Sequence, residues 1–452
     1  MRTHIIYSIL VSILSFNLSF GQFNMSSFYN NHKDINAAKL FQSELDLGTN
    51  HWQFGMTYDL WLGNNALTFG AVNDVGSTVN NTDAISNQQI YDIFNKFGNN
   101  SILGFGTDLQ LIDVAYQFYT KSTNKRIDFT FSVDDKVATN LVFSENLAKL
   151  IWKGNAQFRG QNVELDPFAI NANYTRSFNF GVSFPIYGHN EINEIRGGVR
   201  LKYILGYGNI SMTDKNFYLY TNQEGTLVNT TFDYDLKTSR IDKTFSPFKP
   251  SGKGFGADLS ITYFLNPNFE FAASVNDIGF VHYTKDAMDY QKTGAESYNG
   301  DIVSNIFGGI QTNPDQLTEA FVPTKTEGGS YTVYLGTKLN LMAEYKQLKQ
   351  DSIHGVYELN SCFLTYIQGF HNVAGATTNA FISAGYKHAF GSSLNLGLST
   401  SYGGFNGFVF GPFAGFKWKH TCLAIGSDNF GGLLFPHIAT GVDFTIFFTV
   451  SI

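Results

Sequence analysis

Regular alternation of apolar and polar residues, repeated in segment after segment, constrains the fold of this chain more than any other feature. Along residues 52–62 every second residue is large and apolar: Trp52, Phe54, Met56, Tyr58, Leu60 and Leu62. The same period recurs in segments that begin near residues 126, 196, 254 and 331. Successive side chains of a β-strand point to opposite faces, so this period predicts strands with one apolar and one polar face.

The composition indicates what the apolar faces meet. Charged residues make up 15% of the 452 residues and aromatic residues 16%, whereas an average soluble domain has about 25% charged residues. After residue 21 no run of 18 apolar residues occurs, so no transmembrane helix is expected there. A sheet in lipid must close on itself, because each backbone N–H and C=O needs a partner. The prediction is an all-β fold, a transmembrane antiparallel β-barrel with about 14 to 16 spanning strands and one or two short helices.

Two segments make sharper predictions. Along residues 104–120 the apolar phase changes between Leu111 and Ile112, which predicts a β-bulge. Residues 442–452 alternate to the last residue of the chain. We therefore expect the last strand to pair with the first and to close the barrel.

The first 21 residues are typical of a secretory signal peptide. Arg2 provides a positive start, residues 5–20 are mainly apolar, and residues 19–21 (SFG) fit a cleavage site. Residues 22–452 are then expected to form a single barrel domain in the outer membrane of a Gram-negative bacterium. Its expected partners are outer-membrane lipid and, during biogenesis, the barrel-assembly machinery.

Helical signals are few, and two regions have little periodicity. Ser86 begins a capping box, and Ser144 caps a second segment whose apolar residues share one face. Residues 213–251 and 284–328 are predicted long loop regions, the first of them as an extended hairpin outside the membrane. Long loops at one end and short turns at the other are typical of outer-membrane barrels.

Motifs for catalysis are missing. The chain has no HExxH, GxSxG or Walker A motif, and its histidines lack metal-ligand spacing. We predict a non-enzymatic protein without cofactor or metal; a Ser/His site assembled from distant strands is the alternative. Cys362 and Cys422 lie in no CxxC or Cys/His motif. Two free thiols are therefore expected in preference to a disulfide between them. The net charge of −7 and the lack of a basic stretch argue against nucleic acid as a partner.

Charged residues fall on the phase opposite the apolar one. An Arg or Lys that faces lipid at the midplane costs about 2–4 kcal/mol, so we expect these side chains to face the interior. Two interpretations are open: a salt-bridge network that braces and fills the barrel, or the lining of a solute path or binding chamber. The predicted lumen-lining charges are Arg196, Arg200, Lys202, Asp258, Glu270, Lys338 and Glu344.

Four segments carry a resemblance: residues 274–280 (SVNDIGF), 198–206 (GVRLKYILG), 154–160 (GNAQFRG) and 428–429 (DN). On these, the chain resembles over roughly residues 100–452 a Bacteroidetes outer-membrane β-barrel family of unassigned function. That family is similar in plan to fatty-acid transporter-like barrels and to a barrel associated with type IX secretion. The resemblance implies a barrel of about 14 strands (range 12–16).

Two functions are compatible with these observations. The first is a barrel that passes or binds a small or hydrophobic solute. The polar residues predicted to face the interior favour this function. The alternative is a surface scaffold or accessory of a secretion or gliding complex with a protein partner. The two long loop regions and the family resemblance favour this function. The sequence does not separate the two.

Overall fold

The computed structural model describes residues 51–66, 98, 100–120, 125–189, 192–241, 249–299, 323–351, 355–391, 393–418, 420–427, 429–434 and 440–452. The predicted signal peptide and the helix expected after Ser86 lie outside these residues.

Most of the described chain is β-strand. In chain order the strands are β1 (His51–Asn64), β2 (Ser101–Tyr119), β3 (Arg126–Phe143), β4 (Asn162–Glu164), β5 (Phe168–His189), β6 (Ile192–Thr221), β7 (Leu227–Ser239), β8 (Gly252–Asn266), β9 (Phe269–Tyr283), β10 (Ala287–Lys292), β11 (Ala295–Asn299), β12 (Lys325–Gly328), β13 (Tyr331–Tyr334), β14 (Lys338–Asp351), β15 (Gly355–Gly369), β16 (Phe381–Phe390), β17 (Leu394–Gly403), β18 (Asn406–Trp418), β19 (Thr421–Gly426) and β20 (Gly441–Ser451).

Fourteen of these strands form a closed antiparallel β-barrel. In ring order they are β1, β2, β3, β5, β6, β8, β9 and β14 to β20, and β1 pairs with both β2 and β20. Trp61 of β1 faces Gly106 on one side and Asp443 of the last strand on the other. The predicted fold class, strand number and closure by the last strand are confirmed. The register of β2 against β3 shifts between Gln110 and Ile112, so the predicted bulge is confirmed as well.

The outer face of the barrel is apolar and exposed. Leu201 is 60% exposed and Phe255 is 62% exposed, whereas the flanking Arg200 is 4% exposed. The period of two seen in the sequence therefore sorts large apolar side chains outward and polar ones inward. Burying one such side chain stabilises by about 1.5–3 kcal/mol relative to exposing it to water, so this surface favours an apolar environment.

One strand continues beyond the ring and starts a second sheet. β6 is 30 residues long; its first part pairs with β8 up to Gly206, and its last part, from Asn209, pairs with β7. β10 and β11 pair with β7, β12 pairs with β10, and β4 pairs with the end of β6. We call these strands, with residues 209–221 of β6, the extension. The described parts of the two regions predicted as long loops lie largely in its strands.

A short helix covers one face of the extension. α1 (Glu145–Lys153) begins after Ser144, whose hydroxyl accepts a hydrogen bond from the backbone N–H of Leu147 at 3.1 Å, so the helix predicted there is confirmed. Leu147 packs with Phe217 and Phe232 in a core that also includes Leu165 and Tyr234. Burial in this core raises the pKa of the Tyr234 hydroxyl. The extension therefore excludes water by its own packing.

The sequence of residues 156–164, taken alone, is a further strand candidate, but the structure differs from it. Asn155–Phe158 forms a 3-10 helix, and only residues 162–164 of that segment are in β4. Phe158 lies in the α1 core, so burial of its ring against the extension takes precedence over a local preference for strand.

The two ends of the barrel differ. Short connections such as those between β2 and β3, β8 and β9, and β16 and β17 lie at the end that carries the chain terminus Ile452. The extension, α1 and a second short helix, α2 (Gly431–Leu434), lie at the opposite end. There the β17–β18 turn uses Gly403 and Gly404 at φ values of 95° and 66°, a conformation that glycine adopts readily. Among the described residues no helix is long and apolar enough to cross a bilayer.

Candidate functional site

The buried face of the barrel strands is the interior of the barrel, and its chemistry changes around the ring. The inner faces of β3, β6, β8, β9 and β14 carry most of the ionised side chains; we call this part of the interior the charged wall. All seven charges predicted from the sequence lie on it; six of them are at most 9% exposed, and the Lys202 side chain is 11% exposed. The structure arranges them in three groups.

Arg196 belongs to the group nearest the end with the chain terminus. Its guanidinium lies 3.0 Å from Asp128 and 3.0 Å from Glu194. Arg126 lies 3.2 Å from the same Asp128 carboxylate. The Arg196 guanidinium also donates to the Ser183 hydroxyl at 3.3 Å, so it joins β3, β5 and β6 across the interior surface.

Arg200, Lys202 and Asp258 form the middle group. The Asp258 carboxylate lies 2.5 Å from the Arg200 guanidinium and 2.9 Å from the Lys202 ammonium. Lys202 also lies 2.6 Å from Asp277, and the backbone N–H of Asp277 donates to Asp258 at 2.7 Å. One ladder of charges therefore ties β6, β8 and β9 together.

Lys338, Glu270 and Glu344 lie on β9 and β14. Glu270 and Glu344 are directly opposite each other in the strand register, and the Lys346 ammonium lies 3.0 Å from the first and 3.3 Å from the second. Lys338 is opposite Asn276, beside the middle group. The seven predicted charges are therefore separated into clusters and do not form one site.

Sequence reasoning missed several partners of these charges. Asp128, Glu194 and Lys346 alternate in phase with the predicted charges, so counting residues along each strand would have found them. Counting alternate residues does not identify Asp277, because regular alternation along β9 would place its side chain on the outer face. A bulge between Ala257 and Leu259 and a φ of 58° at Asp277 turn its carboxylate inward.

The part of the interior on β15 to β19 has a different character. Its inner residues are mostly small, and we call it the small-residue wall. Lys387, which lies 2.5 Å from Glu358, and Lys417 are exceptions. The small residues are Ser361, Thr365, Ser383, Gly385, Gly397, Ser399, Ser401, Gly411, Gly415 and Ala424.

A cluster of three phenylalanine rings stands on this side of the interior. Phe363, Phe413 and Phe447 pack together with Ala424. Glycine makes room for one of them: a Cβ on Gly397 would lie 1.9 Å from Cζ of Phe413. Apolar rings that point inward were not predicted, because the sequence alternation assigned large apolar residues to the outer face.

A connecting segment enters the interior from the end opposite the chain terminus. Residues 370–380, between β15 and β16, reach across to β3, where the buried Asn140 side chain donates to the carbonyl oxygens of Val373 at 3.3 Å and Ala376 at 3.1 Å. We call this segment the strap. Beside it, the Phe405 ring packs against Trp61 with centroids 5.3 Å apart. The interior is thus crossed by chain at this end.

No group of three or more His, Cys, Asp or Glu side chains able to hold a metal ion occurs in the described part of the chain. Cys362 and Cys422 are free thiols, which agrees with the expectation from their spacing. Cys362 alternates with the inner residues of β15 and is exposed, whereas Cys422 lies on the inner face next to Lys417.

Fold and interior together define a class of protein: a closed 14-stranded antiparallel barrel with an apolar outer face and an inner face that is part ionic and part small. The family model described as "Family of unknown function (DUF5723)" matches residues 48–428, and the chain belongs to this family. No curated protein matches the chain.

Several solved barrels are similar in outline. TodX of Pseudomonas putida, as a deltaS2S3 mutant called a monoaromatic hydrocarbon channel, is 10% identical over 96% of this chain and 95% of its own, with a TM-score of 0.42. The toluene transporter TbuX of Ralstonia pickettii is 8% identical over 96% and 98%, with a TM-score of 0.40. A FadL homologue of Pseudomonas aeruginosa is 8% identical over 93% and 93%, with a TM-score of 0.38. Likenesses this weak say nothing about what the present chain carries.

Proposed function

We propose that this protein is an integral outer-membrane β-barrel, without enzymatic activity, which passes or binds a small solute with apolar surface in its interior. The observation that carries the proposal is the asymmetry of the interior. A barrel that only needed internal bracing would interlock long side chains from both walls. Here the charged wall closes on itself through ion pairs, and the small-residue wall leaves the opposite side to three phenylalanine rings.

The chemistry of the two walls supports a solute that is partly apolar. Rings such as Phe413 offer dispersion contacts and an apolar surface, while the seven predicted charges would line the other side of the path. Their mutual neutralisation by ion pairs leaves the wall polar without a strong excess of either sign. A small molecule with an aromatic or alkyl body and one polar end fits this combination.

The outer surface supports a location in a membrane. Exposed apolar side chains such as Leu201 and Phe255 alternate with buried polar ones on the barrel strands, and in water they would form a far larger apolar surface than a soluble monomer exposes. The outer membrane of a Gram-negative bacterium is the membrane in which such barrels reside. The signal peptide over residues 1–21 and the Bacteroidetes origin stay predictions.

Flux through proteoliposomes tests the proposal. Vesicles that contain the full chain are loaded with small aromatic and medium-length alkyl compounds, and their release is compared with that from protein-free vesicles. We expect faster release with the protein and a further rise for Phe413→Ala. Phe408→Ala is the matched control, because Phe408 lies on the same strand and is 68% exposed on the outer face. Equal release with and without protein, together with no compound retained by the purified protein in native mass spectrometry, overturns the proposal.

The extension favours a second candidate function, a surface scaffold or accessory of a secretion or gliding complex. It has its own core around Phe217 and Phe232 and stands beyond the ring, which a simple channel does not need. A photocrosslinker at Glu296, exposed in the extension, is expected to capture a specific outer-membrane protein. The same probe at Trp418, at the opposite end of the barrel, is the control. Identical products from the two positions exclude this function for the extension.

A further inference from the structure

The strap, residues 370–380, is internally organised. Val373 and Ala376 exchange two backbone hydrogen bonds of 3.2 and 2.9 Å around Gly375, which has a φ of 78°. The Asn372 side chain accepts from the backbone N–H of Thr378 at 2.8 Å. Bonds within the segment therefore fix its shape, and it can move as one unit about its ends.

The strap lands on the far side of the barrel. β15 and β16 are the ninth and tenth strands of the ring, and β3 is the third, so the segment spans the interior from the small-residue wall to the charged wall. Its tip lies close to β3, where a Cβ on Gly375 would be 3.1 Å from the Ala138 Cβ and 3.6 Å from Cε of Lys136. A solute that moves along the interior past Lys136 meets this tip.

Few bonds hold the strap to the strands it reaches, in comparison with the bonds within the walls. Asn140 supplies its two hydrogen bonds from one amide nitrogen, and Asn171 adds a third of 3.5 Å to the Asn372 carbonyl. The residues at the tip, 373–376, are small and uncharged, so no ion pair anchors them. A net hydrogen bond changes an equilibrium by roughly two- to tenfold, whereas each wall strand is held by a full ladder of backbone bonds.

We propose that the strap is a gate, which closes the barrel interior against Asn140 of β3 and swings away from it to let a solute pass. The proposal rests on the proposed function for the identity of the solute path. The movement itself is independent of any solute. The population of the open state depends mainly on the bonds from Asn140 to the strap carbonyls, with contributions from the Asn171 bond and from packing of the strap tip against Gly336.

Accessibility of the residue beneath the strap tests the movement without any transport assay. In the full chain with Cys362 and Cys422 replaced by Ala, a single Ala138→Cys is labelled by a membrane-impermeant maleimide. We expect Asn140→Ala to raise the labelling rate about tenfold, as expected when two hydrogen bonds that hold the closed state are lost. Asn209→Ala is the matched control: this buried asparagine bonds Ala172 of β5 and Tyr331 of β13, and not the strap, in the described structure. An unchanged rate in Asn140→Ala, with the fold intact on unheated gels, overturns the gate.

A crosslink distinguishes failure of the gate from failure of the proposed function. Ala138→Cys with Gly375→Cys places two thiols within a small adjustment of disulfide geometry. We expect the reduced protein to release solute from proteoliposomes and the oxidised protein to release it at least tenfold more slowly, with recovery on reduction. Undiminished release after complete crosslinking, verified by mass spectrometry, overturns the gate and leaves the proposed function standing. If even the reduced protein releases nothing, the proposed function fails, and the labelling rates alone decide the gate.

Discussion

The two walls of the barrel interior fill their share of the interior volume with opposite kinds of side chain. The charged wall fills its side with long side chains that neutralise each other, as Arg200, Lys202 and Asp258 do within 2.9 Å. The small-residue wall has residues such as Gly397 and Ser399, which fill little volume, and relies on rings and on the strap to occupy the remaining space. Under the proposed function, the charged wall stabilises the barrel and the small-residue wall accommodates the solute.

This comparison has a physical basis in the cost of buried charge. Ionised groups removed from water must be paired, and breaking such a pair is costly, so the charged wall tolerates little rearrangement. Hydroxyl and glycine positions carry no comparable penalty. Changes in the charged wall should therefore act on stability, and changes in the small-residue wall should act mainly on what the interior admits.

The largest effect is expected for Asp258→Ala. This change removes the carboxylate that Arg200 and Lys202 share and leaves two cations crowded on the inner face. We expect unfolding in urea, followed by the gel shift of the folded barrel, to show a loss of about 3–5 kcal/mol. A loss below that expected for Ser399→Ala would break the distinction between the walls.

Lys346→Met tests a second cluster of the charged wall with a side chain of similar length. Glu270 and Glu344 face each other and share the Lys346 ammonium. Without this cation the two carboxylates repel each other, and we expect a loss of about 2 kcal/mol in the same urea titration. The distinction would be weakened if the variant were as stable as the parent barrel.

Gly397→Ala probes a crowded place in the small-residue wall. The added methyl group overlaps the ring of Phe413 and the backbone carbonyl oxygen of Tyr386, and overpacking of this kind costs about 1–3 kcal/mol. The ring can turn into the interior but the carbonyl oxygen is part of the backbone, so we expect a value near the middle of this range, together with altered solute release from proteoliposomes. Lower stability with unchanged release would show that the Phe413 ring does not border the solute path.

Ser399→Ala should have the smallest effect. The Ser399 hydroxyl donates to the Gly411 carbonyl at 3.3 Å, a neutral bond to a group that already lies in the strand ladder. The expected loss is about 0.5 kcal/mol, close to the error of the titration. A loss as large as that of Lys346→Met would show that the small-residue wall is also structural.

Much of the barrel could be predicted from local pattern. The period of two along residues 52–62 assigned each side chain of β1 to its face, and the phase change after Leu111 located a bulge. Both succeed because the strand period is fixed at two, so the polarity of neighbouring residues reports directly on their faces. Ser144 predicted α1 for a similarly local reason, since its hydroxyl caps a helix within the next three residues.

The candidate site was only partly predictable. The charges of the charged wall could be assigned to one phase, but their partners Asp128, Lys346 and above all Asp277 depended on strand neighbours and on a bulge. The rings of Phe363, Phe413 and Phe447 were not predicted, because an apolar residue at an inner position looks like an exception until the residue opposite it is known to be small.

The sequence by itself determined that the chain forms strands, which faces are apolar, and that the inner charges lie together on one phase. Those properties depend on residues close in the chain, where geometry is set by the backbone. The tertiary structure alone decided which charges pair, that one interior wall is ionic and the other small, and that the strap lands on Asn140. These features depend on the order and register of the strands in the ring, which bring together residues far apart in the chain. The local alternation of apolar and polar residues does not specify strand order or register.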